Sequence, residues 1–446
     1  MQMSFKHVVF PDTLPFSYPP LWLRGLGMLS LVLFAALQFA LRDVGGKAES
    51  LMALLGLGAL LWYGKGIRGS GALWLLLAVI LVQCLSWGLG YLHHPEWVAD
   101  NPQVDRLAKL FIFVAIAWWL AGSTRLTFWI WGLAVVGFVL STFTHDGALQ
   151  EWWAGFHGQR AGFGVRNEQH GAMLFGVVLL GLVVFAPRCL RYRSAWSWLS
   201  RVGWGLLVVI ALCGVLIGQT RAVWLGLILS LGIVLVLWLV YLARQQSGKV
   251  AIRALSLSLL VVGVLALAGI WLAQDLLVER VAKEADVIAQ LAAGEIHDVP
   301  YSSIGIRIHT WIAATEWIAE RPFVGWGGEG RGLVIEHTPW LPDFVKQHYG
   351  HLHNYFLEIW VAYGLIGVLV IATLAGWIGW ATWKAWRAGV MPTDMALFGA
   401  AFFVYWMVLN QFESYDSFWT GVFVHNIIVG GLVTHYWRLI AGQQKT

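Results

Sequence analysis

Long apolar runs alternate with short polar links along most of this 446-residue chain. A run of about twenty apolar residues is long enough to cross the hydrocarbon core of a bilayer as an α-helix. The residue-by-residue alternation that is typical of a transmembrane β-strand is not seen. The pattern therefore predicts an all-α, polytopic membrane helix bundle of about twelve transmembrane helices. The predicted spans are residues 22–41, 49–64, 71–92, 107–122, 126–143, 171–187, 203–219, 222–243, 254–273, 354–382, 394–411 and 418–437.

One polar segment is far longer than the other links, and it lies between the ninth and tenth predicted spans. Its side-chain spacing predicts helices over residues 276–293 and 307–318, whereas the proline and glycines of residues 322–330 predict a turn-rich loop. The chain is therefore expected to have three parts. These are residues 1–273 with transmembrane helices one to nine, a loop domain at 274–352, and residues 353–446 with helices ten to twelve.

Composition agrees with a membrane bundle. The chain is 59% hydrophobic and 12% charged, whereas soluble domains have about 25% charged residues. The 29 tryptophans and 50 glycines are typical of interfacial aromatic belts and close helix contacts in lipid. The three cysteines have no paired spacing, so neither a disulfide framework nor a zinc site is indicated. The expected surroundings are membrane lipids, and the small net charge of +5 does not point to a nucleic-acid partner.

The distribution of lysine and arginine predicts the orientation of the bundle. Cytoplasmic links carry an excess of these residues. With a cytoplasmic N-terminus, the basic residues fall mainly on inner links, whereas the link at 412–417 carries Glu413 and Asp416. Both termini are therefore predicted to be cytoplasmic, and the large loop is predicted to be periplasmic or exterior. The basic inner positions include Lys65, Arg68, Arg125, Arg188, Arg201, Lys249, Lys384 and Arg438.

Several arginines lie on the predicted outer side, and Arg221 is the most telling of them. It stands between two apolar spans with almost no loop around it, where a guanidinium costs a few kcal/mol unless it reaches the interface or has an anionic partner. One interpretation is an arginine in contact with lipid headgroups. The other is a phosphate ligand, because the planar guanidinium can bind two phosphate oxygens at once. Arg160, Arg166 and Arg307 are further outer arginines with the same two interpretations.

His353 and Asn354 stand where the tenth span begins. A histidine at this position is either a satisfied interfacial residue or a general base near neutral pH. His337 and His351 are near in sequence, and a His-x-His spacing with Glu336 or Glu358 raises the alternative of a zinc site. His348 is also near. No HExxH pattern and no acidic pair on the outer side accompany these histidines, so we predict neither a metal nor a cofactor.

These residues occur in motifs that resemble those of the O-antigen ligase and polymerase superfamily. His353-Asn354, nine residues and then Gly364-Leu365-Ile366-Gly367 resemble its closing motif. Arg307, Trp311 and residues 322–327 resemble the Arg…Trp…Pro-x-x-Gly-x-Gly segment before it. Residues 220–226 resemble the motif that opens the core region, and Arg160-Ala161-Gly162-Phe163 resembles an upstream motif, although the proline that usually follows is missing. The resemblance covers roughly residues 155–380.

The resemblance implies a bundle of GT-C-like type in a bacterial inner membrane and a glycosyltransferase with a periplasmic active site. Its donor would be a glycan on undecaprenyl pyrophosphate, and its acceptor the lipid A core oligosaccharide. Arg221 and Arg307 would act with His353 in catalysis, and Arg160, Arg166, Asn354 and His337 would bind substrate. An O-antigen polymerase and a protein O-oligosaccharyltransferase are alternatives from the same superfamily. A transporter of lipid-linked glycans and a non-catalytic scaffold are alternatives from other classes.

Overall fold

The computed structural model of the protein describes residues 19–190, 197–245, 287, 289–290, 293–294 and 299–443. The regular secondary structure of these residues is helical, which confirms the predicted all-α membrane bundle. The predicted span 254–273 lies outside the described residues, and so does most of the predicted helix 276–293. The other predicted loop helix, 307–318, is confirmed and is longer than expected, from Ser303 to Glu320.

The main described helices are numbered in chain order, and shorter pieces are given by their ranges. They are α1 (Leu21–Leu37), α2 (Arg42–Tyr63), α3 (Gly71–His93), α4 (Phe113–Leu120), α5 (Thr124–Thr144), α6 (Ala148–Phe156), α7 (Glu168–Val184), α8 (Ser197–Gly218), α9 (Arg221–Gln245), α10 (Ser303–Glu320), α11 (Gly330–His337), α12 (Asp343–His348), α13 (Tyr355–Arg387), α14 (Thr393–Leu409) and α15 (Trp419–Gln443).

Six of the described helices are long and apolar enough to cross a membrane, namely α2, α3, α5, α8, α9 and α13. The shorter apolar helices α1, α7 and α14 coincide with further predicted spans, and α15 coincides with the last one. The fourth predicted span, 107–122, is not one continuous helix. It consists of a short helix at Asp105–Ala108, a 3-10 turn at Lys109–Phe111 and the eight residues of α4.

The broken fourth segment is possible because protein surrounds it. Every residue of α4 is buried. The side chain of Asn426 in α15 satisfies the backbone at the break: its Oδ1 accepts from the Phe113 N–H at 2.7 Å, and its Nδ2 donates to the Lys109 carbonyl at 2.8 Å. Irregular backbone at membrane depth needs such partners, since lipid offers none. The apolar run alone predicted a span because it does not tell whether lipid or protein surrounds a helix.

Helices α4 and α15 form the centre of the bundle, where α15 is buried over most of its length. Glycines of α15 allow close contacts with its neighbours: an added Cβ at Gly430 would touch Ile116 of α4, and one at Gly431 would touch Trp131 of α5. Small residues at helix crossings permit such approach in membrane bundles. The outer helices then pack around this pair, α3 against α13 and α9 against α14.

Contacts between helix ends show which of the links lie at the same end of the bundle. At one end, Gln219 Nε2 donates to the Gly158 carbonyl at 2.8 Å. At the other end, Arg188 pairs with Asp394, and Arg438 donates to the Gly122 carbonyl at 3.3 Å. The links predicted to share a side thus do meet one another. Which end faces the periplasm stays a prediction.

Helix α13 is interrupted at Gly364, whose φ of 63° and ψ of −167° are not helical. The loop at 322–327 pairs with the backbone freed by this break. Leu365 N–H donates to the Pro322 carbonyl at 2.8 Å, and Trp326 N–H donates to the Val361 carbonyl at 2.9 Å. An added Cβ at Gly364 would collide with the loop backbone, so this position requires glycine. The two glycine motifs of the sequence are therefore two sides of one contact.

Ser86 of α3 reinforces the same contact from inside the bundle. Its hydroxyl donates to the Ala362 carbonyl at 2.8 Å and accepts from the Gly327 N–H at 3.1 Å. The first part of α13, residues 355–363, is thereby held by α3 and by the loop at once. Because residues 353 and 354 lead directly into this part of α13, its position also sets theirs.

Candidate active site

A buried carboxylate holds two histidines at the start of α13. Glu413 lies in the link between α14 and α15 and its side chain is 2% exposed. Its Oε2 lies 2.8 Å from His353 Nδ1, and its Oε1 lies 3.0 Å from His351 Nε2. An ionised carboxylate only accepts hydrogen bonds. His353 therefore carries its proton on Nδ1, which leaves Nε2 as a base.

The charge of Glu413 follows from the same contacts. Burial alone would raise the pKa of Glu413, but the hydrogen bonds from His351 and His353 outweigh burial and hold the pKa far below its usual value. The carboxylate is therefore ionised at neutral pH. It can stabilise positive charge on His353 when that imidazole takes up a proton.

The backbone at His353 is unusual, with a φ of 52°. Residues other than glycine seldom adopt this left-handed conformation, and such conformations persist only where surrounding contacts enforce them. Hydrogen bonds on both sides of the chain hold the turn before α13 in place. Trp311 Nε1 donates to the Leu352 carbonyl at 2.8 Å, and the Leu352 N–H donates to Glu358 Oε1 at 3.1 Å.

Glu358 is a second buried carboxylate, 3% exposed, in the first turn of α13. It joins the histidine turn to the α14–α15 link, because it accepts hydrogen bonds from the hydroxyls of Ser414 at 2.6 Å and Ser417 at 3.1 Å. Its Oε2 also lies 3.2 Å from Arg331 of α11. Glu358 thus has several partners of its own and is not the carboxylate that faces the histidines.

Asn354 caps α13. Its Oδ1 accepts from the N–H groups of Phe356 and Leu357 at 3.1 and 3.2 Å, and its Nδ2 lies 3.4 Å from Gln411 Oε1. The cap satisfies backbone donors that a helix start leaves unpaired. The sequence analysis did not anticipate this task. A contact between Asn354 and substrate stays a prediction.

Arg160 and Arg221 are neighbours. Arg160 Nε donates to the Gly218 carbonyl at 3.3 Å, in the turn that directly precedes Arg221. Gln219, whose φ is 44°, shapes this turn, and Arg221 is the first residue of α9. Both arginines are exposed. The structure therefore places two of the predicted phosphate ligands beside each other at one end of the bundle.

Arg307 approaches the same site from the loop. It lies one helical turn before Trp311 in α10, on the same helix face, and Trp311 is bonded to the histidine turn. Arg160 and Arg307 both lie close enough to the Tyr415 hydroxyl to influence its pKa. Burial and the charge of Glu413 raise the pKa of Tyr415 well above its usual value, while Arg307 and Arg160 act in the opposite direction.

Arg166 and His337 have different surroundings. The Arg166 guanidinium lies over the Phe418 ring, 3.7 Å from its centroid, and Phe418 also contacts the His351 ring at 5.3 Å between centroids. His337 stacks on Trp97 at 5.0 Å, in an aromatic cluster of the loop. It ends α11, so the structure does not bring it to Glu413 as it brings His351. Substrate binding by Arg166 and His337 stays a prediction.

The two histidines and Glu413 are also a possible metal site. Their ligand atoms all lie within 4.8 Å of one another, and among the described residues this is the group with metal-compatible spacing. Two imidazoles and one carboxylate are a known ligand set for zinc. The sequence analysis considered Glu336 or Glu358 as the carboxylate, whereas the structure supplies Glu413. The prediction of a site without metal remains open to test.

Sequence reasoning missed Glu413 as the carboxylate that pairs with the histidines, and it missed Arg331 as the partner of Glu358. Glu413 was noted only as an acidic residue in the link at 412–417, and nothing local marked it as a partner of the histidines. Glu358 was considered only as a carboxylate for a zinc site with the His-x-His spacing. Nothing in the sequence linked Arg331 to it.

A family model described as O-antigen ligase matches residues 206–372. This part of the chain is therefore similar to the O-antigen ligase family. The matched O-antigen ligase segment contains Arg221, Arg307 and His353, whereas Arg160 and Glu413 lie outside it. Among curated proteins, none matches this chain.

Proposed function

We propose that the protein is an O-antigen ligase. It transfers a glycan from undecaprenyl pyrophosphate to the lipid A core oligosaccharide, on the periplasmic side of a bacterial inner membrane. The observation that carries the proposal is the Glu413–His353 pair, with Arg160 and Arg307 close enough to act on the neighbouring Tyr415, in a chain whose residues 206–372 match an O-antigen ligase family model. A base and a cluster of arginines are what transfer from a diphosphate to a hydroxyl requires.

His353 is the general base of the proposal. Its Nδ1–H is engaged by Glu413, and its Nε2 takes the proton of the acceptor hydroxyl. A positioned base contributes about 10²–10⁴ in rate. The hydroxyl oxygen attacks the anomeric carbon directly, so the configuration at that carbon inverts. Glu413 then stabilises the imidazolium that forms.

Arg160, Arg221 and Arg307 bind the departing diphosphate. Guanidinium groups suit phosphate oxygens because they offer parallel N–H donors. Charge develops on the diphosphate as the glycosyl bond breaks, and a preorganised donor aimed at such charge is worth about 10²–10³ in rate. No step of this route needs a metal, and undecaprenyl pyrophosphate is itself the activated donor.

Polymerase and protein O-oligosaccharyltransferase activities remain alternatives, because they use the same donor and differ in the acceptor. A transporter would need a substrate site at the middle of the bilayer, built from broken helices. Breaks do occur here, in α13 and in the fourth segment. The described partners of both breaks are protein groups, Ser86 and the 322–327 loop in one case and Asn426 in the other. This favours an enzyme over a transporter.

Complementation of a ligase-null bacterial host tests the proposal. The wild-type gene is expected to restore glycan-bearing lipopolysaccharide, and His353→Ala and Arg221→Ala are expected to abolish it. His348→Ala is the matched control, because His348 is an exposed loop histidine bonded to the Phe344 carbonyl. Normal glycan ladders from both site variants would refute the proposal. Longer chains in a polymerase-null host would indicate the polymerase instead.

Purified protein tests metal independence. Activity with a lipid-linked donor is expected to survive EDTA. If EDTA abolishes activity and one divalent ion restores it, His351, His353 and Glu413 are metal ligands and the general-base route is wrong.

A further inference from the structure

A second group of cations lies next to the histidines and is separate from the three arginines that bind the departing diphosphate in the proposed transfer. The Arg166 guanidinium lies 3.7 Å from the centroid of the Phe418 ring, and that of Arg331 lies 5.8 Å from it. The next residue, Trp419, carries Arg42 on its ring at 4.1 Å. Three guanidinium groups from three distant parts of the chain thus converge on two adjacent aromatic side chains.

These arginines are incompletely neutralised. Among the residues that the structure describes, Arg42 and Arg166 form no ion pair, and both are exposed. Arg331 pairs with the buried Glu358. Burial lowers the pKa of Arg166, Glu413 opposes the shift, and the charges of Arg331 and Arg42 add to it. Like charges held this close are unfavourable unless an anion joins them.

The arrangement suits a phosphate group. An arginine that lies flat on an aromatic ring keeps the N–H donors at its edge free, and its conformation is already restricted. Several such edges around one point bind a phosphate with charge-assisted hydrogen bonds. The same chemistry can come from two sources, a phosphate on the acceptor glycolipid or the headgroup of a surrounding anionic phospholipid.

The position of the group favours the acceptor. Phe418 contacts the His351 ring at 5.3 Å, so these cations adjoin the histidine pair, whereas Arg160 and Arg307 act on Tyr415. Donor and acceptor must meet at one base, and both are anionic lipids. Two separate anion sites beside the base would keep the two headgroups from competing for the same cations.

We propose that Arg42, Arg166 and Arg331 form a second phosphate site, which binds a phosphate monoester of the acceptor glycolipid next to His351 and His353. This inference rests on the proposed function for the identity of the acceptor. The site itself is defined by the contacts with Phe418 and Trp419. It makes phosphorylation of the acceptor a determinant of specificity.

The test compares lipid A core glycolipid with the same glycolipid after phosphatase treatment, in neutral detergent micelles with a fixed lipid-linked donor. The wild-type protein is expected to show a KM at least about tenfold lower for the phosphorylated acceptor, since a charge-assisted hydrogen bond has that worth. The double variant Arg42→Gln, Arg166→Gln is expected to lose this preference. Arg125→Gln, an exposed arginine at the opposite end of the bundle, is expected to keep it.

Direct binding of the two glycolipids, measured by thermophoresis of the labelled protein, separates this inference from the proposed function. If no transfer occurs but the phosphorylated glycolipid binds more tightly and the double variant loses that difference, the function is wrong and the phosphate site stands. Equal binding of both glycolipids by wild type, or a preference retained by the double variant, overturns the site. Phosphatidylglycerol vesicles that displace the phosphorylated glycolipid, where phosphatidylcholine vesicles do not, overturn it in favour of a bulk lipid contact.

Discussion

Replacement of Glu413 by glutamine tests the central contact of the candidate site. Glutamine has nearly the same size and shape, so the packing of the α14–α15 link should be preserved. The carboxylate accepts from His353 at 2.8 Å and from His351 at 3.0 Å. The amide of glutamine has only one oxygen, and its NH₂ group would face the second imidazole N–H. At least one of the two imidazoles therefore loses its hydrogen bond to a charged acceptor, even if it changes tautomer to accept from the amide.

The expected loss of rate follows from that count. A hydrogen bond to a charged group is worth about 1.5–3 kcal/mol, and each 1.36 kcal/mol of barrier is a factor of ten in rate. The amide also no longer holds His353 in the tautomer with a free Nε2. We expect kcat to fall by about 10² or more. The KM for the donor should change little, because Glu413 is a positioning residue that acts through the imidazole.

The assay is transfer from a defined lipid-linked donor by purified Glu413→Gln and Glu413→Asp variants. Aspartate retains the charge and should recover part of kcat. Glu96→Gln is the matched control, because Glu96 also lies near a histidine, at 3.5 Å from His94, but is 60% exposed. Its kcat should equal that of wild type. Melting temperatures of all variants exclude a difference in folding.

A Glu413→Gln variant with wild-type kcat would refute the assignment of His353 as a base oriented by Glu413. A fall in donor affinity at constant kcat would also contradict it, since that result would place Glu413 in donor binding.

Three further substitutions test the architecture around the site by thermal unfolding. Gly364→Ala should destabilise the protein by about 1–3 kcal/mol, because residues with a Cβ avoid this conformation. The control Gly376→Ala, in an open part of α13, should leave stability unchanged. Equal melting temperatures of the two variants would contradict the requirement for glycine at the break in α13. Burial raises the pKa of Asp416 from 3.8 to about 7, so the protonated carboxyl stabilises the folded protein at low pH and this stability is lost as the pH rises to 7. The loss amounts to at most about 4 kcal/mol, and Asp416→Asn should abolish it because an amide does not titrate. An Asp416→Asn variant with the same pH profile of melting temperature as wild type would contradict this. Glu358→Gln should lower the free energy of unfolding by about 1–3 kcal/mol, because the neutral amide leaves the charge of Arg331 without its carboxylate partner. The control Glu336→Gln, at an exposed position, should leave stability unchanged. An equally stable Glu358→Gln variant would show that the contacts of Glu358 are not required for stability.

Much of the fold could be read from the sequence because lipid imposes a local rule. A helix that faces a bilayer must be apolar over its whole length, so the run itself marks the span. Helices α3, α5 and α13 therefore began within a few residues of their predicted starts. The prediction of a continuous fourth span was wrong because this segment is surrounded by α15 and other helices. An apolar run inside protein obeys no rule of length.

Only part of the candidate site could be predicted from the sequence, for a related reason. His353, Arg307 and Trp311 belong to motifs with fixed spacing, so the sequence alone marked them as candidates. Glu413 comes from a link 60 residues after His353, and nothing local marks it as a partner.

The tertiary structure alone decided which charges meet. It paired Glu413 with the histidines and Glu358 with Arg331, and it gathered Arg42 and Arg166 on neighbouring rings. It also showed that the glycines at 325 and 364 serve a single backbone contact between the loop and α13. The sequence by itself determined where the long apolar helices lie, because an apolar run that faces lipid is marked by its own residues. Ion pairs depend on two distant segments arriving at the same point, and only the packed bundle brings them there.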